Sequence, residues 1–210
     1  MLTRIKRRIQ SALSAEARIA HRMGLTPNHL SIAGVALGLL SGVTYWLAGM
    51  SIAASDPIMG KGYLIAAVLL LIASGFLDAL DGALARLYGE TTSRGGFLDS
   101  LLDRYVDSAV YSGIMLGGLC DLPWGLLALI GSLLTSYARA RSEAEDIRME
   151  SVGLFERAER ILLISAFSLL NIIWANALRW GVIILAFATN FTVLQRAAFF
   201  FKKTSSDQAE

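Results

Sequence analysis

The strongest constraint on this chain is a series of six apolar stretches, each near the ~20 residues that a helix needs to cross a bilayer. Of the 210 residues, 55% are hydrophobic and only 17% are charged, which is typical of a polytopic membrane protein. The sequence therefore predicts an all-α membrane protein with six transmembrane helices. The stretches cover approximately residues 28–49, 61–87, 97–119, 124–142, 159–176 and 179–201.

The ends of the chain and its charge predict how the protein sits in the membrane. Residues 1–24 are basic and carry apolar side chains at helical spacing, so we expect an amphipathic helix in the membrane interface. Residues 25–203 then form the six-helix core, residues 204–210 a polar tail, and the whole chain 1–210 one domain. Basic residues are concentrated near both termini and in alternate loops, which predicts that both termini face the cytoplasm. A net charge of +2 gives no indication of nucleic-acid binding.

Four aspartates interrupt the second and third apolar stretches, at Asp78, Asp81, Asp99 and Asp103. At roughly 100° per residue, each pair shares one face of its helix. Carboxylates within membrane helices are costly against lipid and mark a functional cavity. Converging carboxylates repel one another unless cations neutralise them, and oxygen ligands of this kind suit Mg²⁺, Mn²⁺ or Ca²⁺ better than zinc. The aspartates therefore predict a metal-dependent site, with room for two ions.

A second polar group contains arginines in and beside the later stretches. Arg139 and Arg141 lie near the end of the fourth stretch, and Arg196 lies inside the sixth. Guanidinium groups suit phosphate, so these residues predict an anionic ligand. A further run in the loop before the fifth stretch is interpreted as a structural charge ladder whose members neutralise one another: Glu156, Arg157, Glu159 and Arg160.

The aspartates belong to a longer pattern, Asp78-x2-Asp81-Gly82-x2-Ala85-Arg86-x8-Gly95-x3-Asp99-x3-Asp103. This pattern resembles the complete signature of the CDP-alcohol phosphotransferases. The resemblance implies an enzyme of phospholipid biosynthesis that transfers a phosphatidyl-type group from a CDP-lipid to an alcohol and releases CMP. It also implies a homodimer in the cell membrane, with the active site on the cytoplasmic side. The expected cofactor is a pair of Mg²⁺ ions per active site, with Mn²⁺ as a substitute.

The same resemblance implies a role for each signature residue. Asp78, Asp81 and Asp99 are expected to hold the metals, while Asp103 ligates one metal and acts as the general base. The residues expected to bind the nucleotide of the CDP-lipid are Asn28, Gly82, Ala85, Arg86 and Thr92.

The acceptor is predicted from three shorter runs, Ser136 to Arg141, Phe155 to Arg157 and Gln195 to Arg196. These runs resemble the phosphatidylinositol phosphate synthases and their archaeal counterparts. The resemblance implies that Arg139, Arg141 and Arg196 bind the phosphate of inositol 1-phosphate. Glycerol 3-phosphate is an alternative acceptor, and the lipid is either diacylglycerol or archaeol. An intramembrane cation transporter is an alternative of another class, but it accounts for the acids and not for Gly82, Ala85, Arg86 and the arginines. A di-metal phosphatase, in which water replaces the alcohol, is a third possibility.

Overall fold

The computed structural model describes residues 13–149 and 152–207, and all regular structure within these ranges is helical. Each of the six predicted stretches contains one helix. All six of these helices begin and end within about six residues of the predicted bounds. The helices are α1 (residues 13–22), α2 (Pro27–Ala53), α3 (Pro57–Tyr88), α4 (Ser93–Leu116), α5 (Leu122–Glu143), α6 (Arg157–Leu170) and α7 (Ala177–Asp207).

Three of these helices, α2, α3 and the part of α7 from Ala177 to Ser205, are long and apolar enough to cross a membrane. Large apolar side chains are exposed on their outer faces, such as Leu69, Phe187 and Leu194. Surfaces of this kind suit lipid and are costly in water. The chain is therefore an integral membrane protein.

The helix α6 is shorter than its apolar stretch predicts. It has 14 residues and ends at Leu170, so it is about 21 Å long. Residues 171–176 form turns, and the Oδ1 atom of Asn171 accepts a hydrogen bond from the backbone N–H of Leu178 at 3.1 Å. An asparagine that binds the backbone of the next helix favours a turn over a further helical residue, which explains the early end.

Local sequence signals determine where α3 ends and α4 begins. Gly89 ends α3 with φ of +70°, a left-handed conformation that favours glycine. Thr92 caps α4, and its Oγ1 atom accepts a hydrogen bond from the N–H of Gly95 at 3.0 Å. The resulting turn is short, so the last turns of α3 and the first turns of α4 lie side by side. Both aspartate pairs belong to these turns.

Glycines allow α2 and α4 to cross at very short distance. A Cβ atom on Gly42 would lie 2.5 Å from the carbonyl oxygen of Ala109, and one on Gly113 would overlap the carbonyl oxygen of Gly42. The small-residue spacing in these two helices thus serves a contact within the chain. This contact holds the second half of α4, which follows the aspartates, against α2.

The N-terminal helix α1 packs beneath α2 and α3 at the end where the aspartates lie. The ring of His21 stacks on Tyr88 with centroids 3.7 Å apart. Residues 1–12, the first half of the predicted interfacial segment, lie outside the described residues. The buried contact joins Ala17 and Ala20 with Leu30, Leu80 and Leu84.

Candidate active site

The four signature aspartates line one small pocket between α2, α3, α4 and α6. Asp78, Asp99 and Asp103 each offer one oxygen, and these three atoms lie within 4.8 Å of one another. Oxygens around one octahedral Mg²⁺ lie roughly 3.0 Å apart when adjacent and roughly 4.2 Å apart when opposite, so the three carboxylates can share an ion once their oxygens approach to these distances. The donor set is all oxygen, and it fits a hard divalent cation.

Asp81 lines the same pocket from the side of α2 and is 6% exposed. Ser31 on α2 donates a hydrogen bond from its Oγ atom to Oδ2 of Asp81 at 2.5 Å. This bond fixes one carboxylate oxygen and leaves the other for a ligand. The position of α2 therefore determines the orientation of Asp81.

A cavity of about 460 Å³ opens beside the acid pocket, between the first turn of α2, the end of α3 and the start of α4. A Cβ atom on Gly82 would lie 3.1 Å from Nη1 of Arg86, so the bare Gly82 leaves space for this guanidinium group. All five residues predicted to bind the nucleotide line this cavity, which we call the donor cavity: Asn28, Gly82, Ala85, Arg86 and Thr92.

A second cavity, of about 340 Å³, opens between α4, α5, α6 and α7, and we call it the acceptor cavity. Asp99 lines the acid pocket and both cavities, so all three spaces meet at this residue. Charged side chains dominate the acceptor cavity. Its arginines are Arg104, Arg139, Arg157, Arg160 and Arg196, and its acids are Asp99, Asp103, Asp107, Glu143 and Glu156.

The three arginines predicted to bind phosphate differ in their positions. Arg196 is 2% exposed and lines the acceptor cavity, where three of its N–H groups bind the carbonyl oxygens of Val152 and Thr135 and the carboxylate of Glu156. Among residues 13–149 and 152–207, two of its five N–H groups have no hydrogen-bond partner, and these can bind a ligand. Arg139 lines the cavity rim and pairs with Glu143 at 2.8 Å. Arg141 pairs with Glu145 and does not line the cavity.

Residues outside the signature complete the acid site. Arg157 on α6 places Nη1 2.8 Å from Asp78 and 2.6 Å from Asp103. Asp107, one helical turn after Asp103, accepts hydrogen bonds from Arg160 at 2.7 Å and from Ser132 at 3.1 Å. The interpretation of Arg157 and Arg160 as part of a ladder within their own segment therefore misses their bonds to α4. A sequence signal was present: Asp107 continues the four-residue spacing of Asp99 and Asp103.

An acid site of this geometry, between two cavities in an all-helical membrane protein, defines a metal-dependent transferase acting on a lipid. The family model of CDP-alcohol phosphatidyltransferase matches residues 24–194. The chain belongs to this family.

Individual relatives agree with that assignment. The archaetidylinositol phosphate synthase of Pyrococcus horikoshii is 36% identical over 196 residues, which cover 93% of this chain and 94% of the relative. A crystal structure of the phosphatidylinositol phosphate synthase of Mycobacterium tuberculosis with CDP-DAG bound is 30% identical, with a TM-score of 0.74 over 90% of this chain and 93% of that one. A second structure of that enzyme, with manganese and citrate, is 29% identical and gives a TM-score of 0.73 over 90% of this chain and 88% of that one.

Proposed function

We propose that this enzyme transfers a phosphatidyl-type group, from a CDP-lipid of diacylglycerol or archaeol, to inositol 1-phosphate and releases CMP. The observation that carries the proposal is the meeting of two different cavities at one group of carboxylates. The donor cavity is lined by the signature residues, and the acceptor cavity by five arginines. Relatives across nearly the whole chain are named as synthases of inositol phosphate lipids, which favours this acceptor over glycerol 3-phosphate.

The proposed metal site holds two Mg²⁺ ions on Asp78, Asp81, Asp99 and Asp103, with Mn²⁺ as a substitute. When bound, the ions supply positive charge against the pyrophosphate of the CDP-lipid and against the leaving oxygen of CMP. The protein supplies the geometry. The hydrogen bond from Ser31 orients Asp81, and the short turn from α3 to α4 holds the two aspartate pairs against each other.

Asp103 is the proposed general base. It lines both the acid pocket and the acceptor cavity, whereas Asp78 and Asp81 do not line the acceptor cavity. A hydroxyl group of an acceptor in that cavity can therefore approach Asp103 and give up its proton there as its oxygen attacks phosphorus. Arg139 and Arg196 would hold the acceptor phosphate at the far side of the same cavity. Arg141 stays a candidate only for attraction of the anion from solution.

In the donor cavity, Arg86 and Thr92 would bind the nucleotide, with Gly82 and Ala85 leaving room for its flat rings and Asn28 closing the cavity from α2. The bare surface of Gly82 supports this arrangement, since any side chain there would meet the guanidinium group of Arg86. The lipid tails would leave this cavity along the exposed apolar faces of the neighbouring helices.

The proposed membrane arrangement has six spanning helices, α2 to α7, within a single domain of residues 1–210, and α1 in the interface. The acid site and both termini would face the cytoplasm, as the distribution of basic residues predicts. We also propose a homodimer in the cell membrane. Crosslinking in native membranes tests the dimer, and protease protection of the termini tests the orientation.

The central test is CMP release by detergent-purified protein with Mg²⁺ and a CDP-lipid. Inositol 1-phosphate, inositol, glycerol 3-phosphate and serine serve as separate acceptors. We expect release only with inositol 1-phosphate. Release only with glycerol 3-phosphate would keep the reaction and replace the acceptor, whereas no CMP release with any acceptor would contradict the transferase function and favour a transporter or a phosphatase.

A further inference from the structure

Arg157 lies at the position between the carboxylates where a cation is required. Its Nη1 atom is 2.8 Å from Oδ2 of Asp78 and 2.6 Å from Oδ1 of Asp103, and its side chain is only 17% exposed. Asp78 and Asp103 are two of the three residues whose oxygens converge within 4.8 Å. The guanidinium group therefore contacts the same carboxylates that would hold a metal ion.

Arg157 contacts the carboxylates of the acid pocket through one nitrogen atom and not through two parallel bonds to one carboxylate. Its Nη1 and Nε atoms are buried, and the single Nη1 atom approaches two different carboxylates, those of Asp78 and Asp103. Arginine usually binds carboxylates through its aligned fork of N–H groups. One nitrogen shared between two carboxylates neutralises their charge without forming the two parallel bonds of the fork with either of them.

A second partner is available to Arg157 beside the acid pocket. Its Nε atom is 3.7 Å from Oδ1 of Asp107, the carboxylate oxygen that Arg160 and Ser132 do not use. Arg157 also lines the acceptor cavity. A small rotation away from Asp78 and Asp103 would therefore keep the guanidinium group paired with Asp107 and turn its remaining N–H groups towards the acceptor cavity.

The charges of the acceptor cavity give this movement a consequence. The cavity is lined by five arginines and five acids, so its formal charge is balanced. Two of those acids, Asp99 and Asp103, belong to the proposed metal site. When metal neutralises them, the arginines exceed the remaining acids and the cavity attracts an anion.

We infer that Arg157 is the internal counter-cation of the metal-free acid site and that divalent metal releases it into the acceptor cavity, so that metal and a tetrahedral dianion bind cooperatively. This inference rests on the metal site of the proposed function but not on the identity of the acceptor. It assigns to Arg157 a positioning role that links the two sites.

Binding of Mn²⁺ to the detergent-purified full chain, measured from the loss of the free-ion EPR signal, tests the inference without any substrate. Arg157→Gln removes the competing guanidinium group, so it should bind Mn²⁺ at least about fivefold more tightly than the unaltered protein. Arg179→Gln is the control for the loss of one arginine from an ion pair, because Arg179 pairs with Asp121 at 2.7 Å and lines neither cavity. It should change Mn²⁺ affinity by less than about twofold.

The coupling is measured by repeating the titration in saturating sulfate, a dianion that remains soluble with Mn²⁺. Because coupling between two ligands is reciprocal, sulfate should tighten Mn²⁺ binding at least about fivefold in the unaltered protein and in Arg179→Gln. The effect should shrink to less than about twofold in Arg157→Gln. An equal sulfate effect in all three proteins, or equal Mn²⁺ affinity of Arg157→Gln and the unaltered protein, would overturn the inference.

Stability measurements separate this role from a purely structural one. The melting temperature of Arg157→Gln should fall in the metal-free protein and recover when Mn²⁺ is added, because metal then neutralises the carboxylates. A fall of the same size with and without Mn²⁺ would mean that Arg157 only supports the fold. Should Arg157→Gln not purify as folded protein, Arg157→Met keeps the apolar stem of the side chain and is held to the same outcomes.

Discussion

The donor and acceptor cavities share Asp99, yet they are built in different ways. The donor cavity is formed by residues from two stretches, 27–32 and 81–102, most of them within one signature. The acceptor cavity draws on residues from 99 to 196, on four helices. Local helix periodicity suffices to assemble the first, whereas the second depends on ion pairs between distant segments. A site of the first kind is recognisable in sequence, and one of the second kind becomes visible only in the fold.

Asp103 lines the acid pocket and the acceptor cavity and is the proposed base, so its loss should have the largest effect. Asp103→Asn keeps the size of the side chain but removes the proton acceptor, and we expect CMP release to fall by about 10²- to 10⁴-fold. Asp146→Asn, in an exposed loop and away from both cavities, is the matched control. Normal turnover by a folded Asp103→Asn protein would contradict its role as the base.

A substitution at Arg86 tests the donor cavity alone, because Arg86 lines the donor cavity and does not line the acceptor cavity. Loss of a hydrogen bond to a charged group costs about 1.5–3 kcal/mol, so Arg86→Gln should raise the KM for the CDP-lipid roughly 10- to 100-fold. The KM for the acceptor should change little. Arg94→Gln, on the first turn of α4 but outside the cavity, controls for loss of one positive charge. Equal increases in both KM values would mean that the two cavities are not independent.

The opposite selectivity is expected at Arg139, on the rim of the acceptor cavity. Arg139→Gln should raise the KM for the acceptor by about three- to tenfold, less than at Arg86 because the side chain is partly solvated. The KM for the CDP-lipid should stay within about twofold. A larger increase in the KM for the CDP-lipid than in the KM for the acceptor would contradict the proposed role of Arg139 in binding the acceptor.

The smallest change in KM is expected for a substitution of Arg141, which is also the closest comparison for Arg139. Arg139 and Arg141 each pair with a glutamate four residues later, but Arg141 does not line the cavity. Arg141→Gln therefore breaks an equivalent surface ion pair, and we expect it to change either KM by no more than about twofold. A result equal to that of Arg139→Gln would show that position in the cavity does not matter and that charge near its mouth suffices.

Helix positions and the convergence of the aspartates could be predicted because both follow from short-range periodicity. Apolar stretches gave the helices, and the spacing of Asp78 with Asp81 and of Asp99 with Asp103 placed each pair on one face. The early end of α6 could not be read in this way, since it depends on a bond between the side chain of Asn171 and the start of α7.

The ion-pair and hydrogen-bond partners of the arginines also could not be predicted from the residues next to them in sequence. Arg157 has acids next to it in sequence, which favours a local ladder, but its ion pairs are with α3 and α4, more than fifty residues away. Arg196 has no acid beside it in sequence, which favours the interpretation that it binds an anionic ligand. In the fold, three of its N–H groups already bind other residues of the chain. Competition between local and distant partners is resolved only by the packing of the helices.

The junction at Asp99 has a consequence for the order of events in catalysis. Each cavity has its own walls and its own opening, so a donor and an acceptor can be held at the same time with their reacting groups on either side of the carboxylates. The phosphatidyl group then passes directly from one molecule to the other, and no side chain needs to carry it in between. Kinetics of this kind follow a ternary complex, with intersecting rather than parallel double-reciprocal plots.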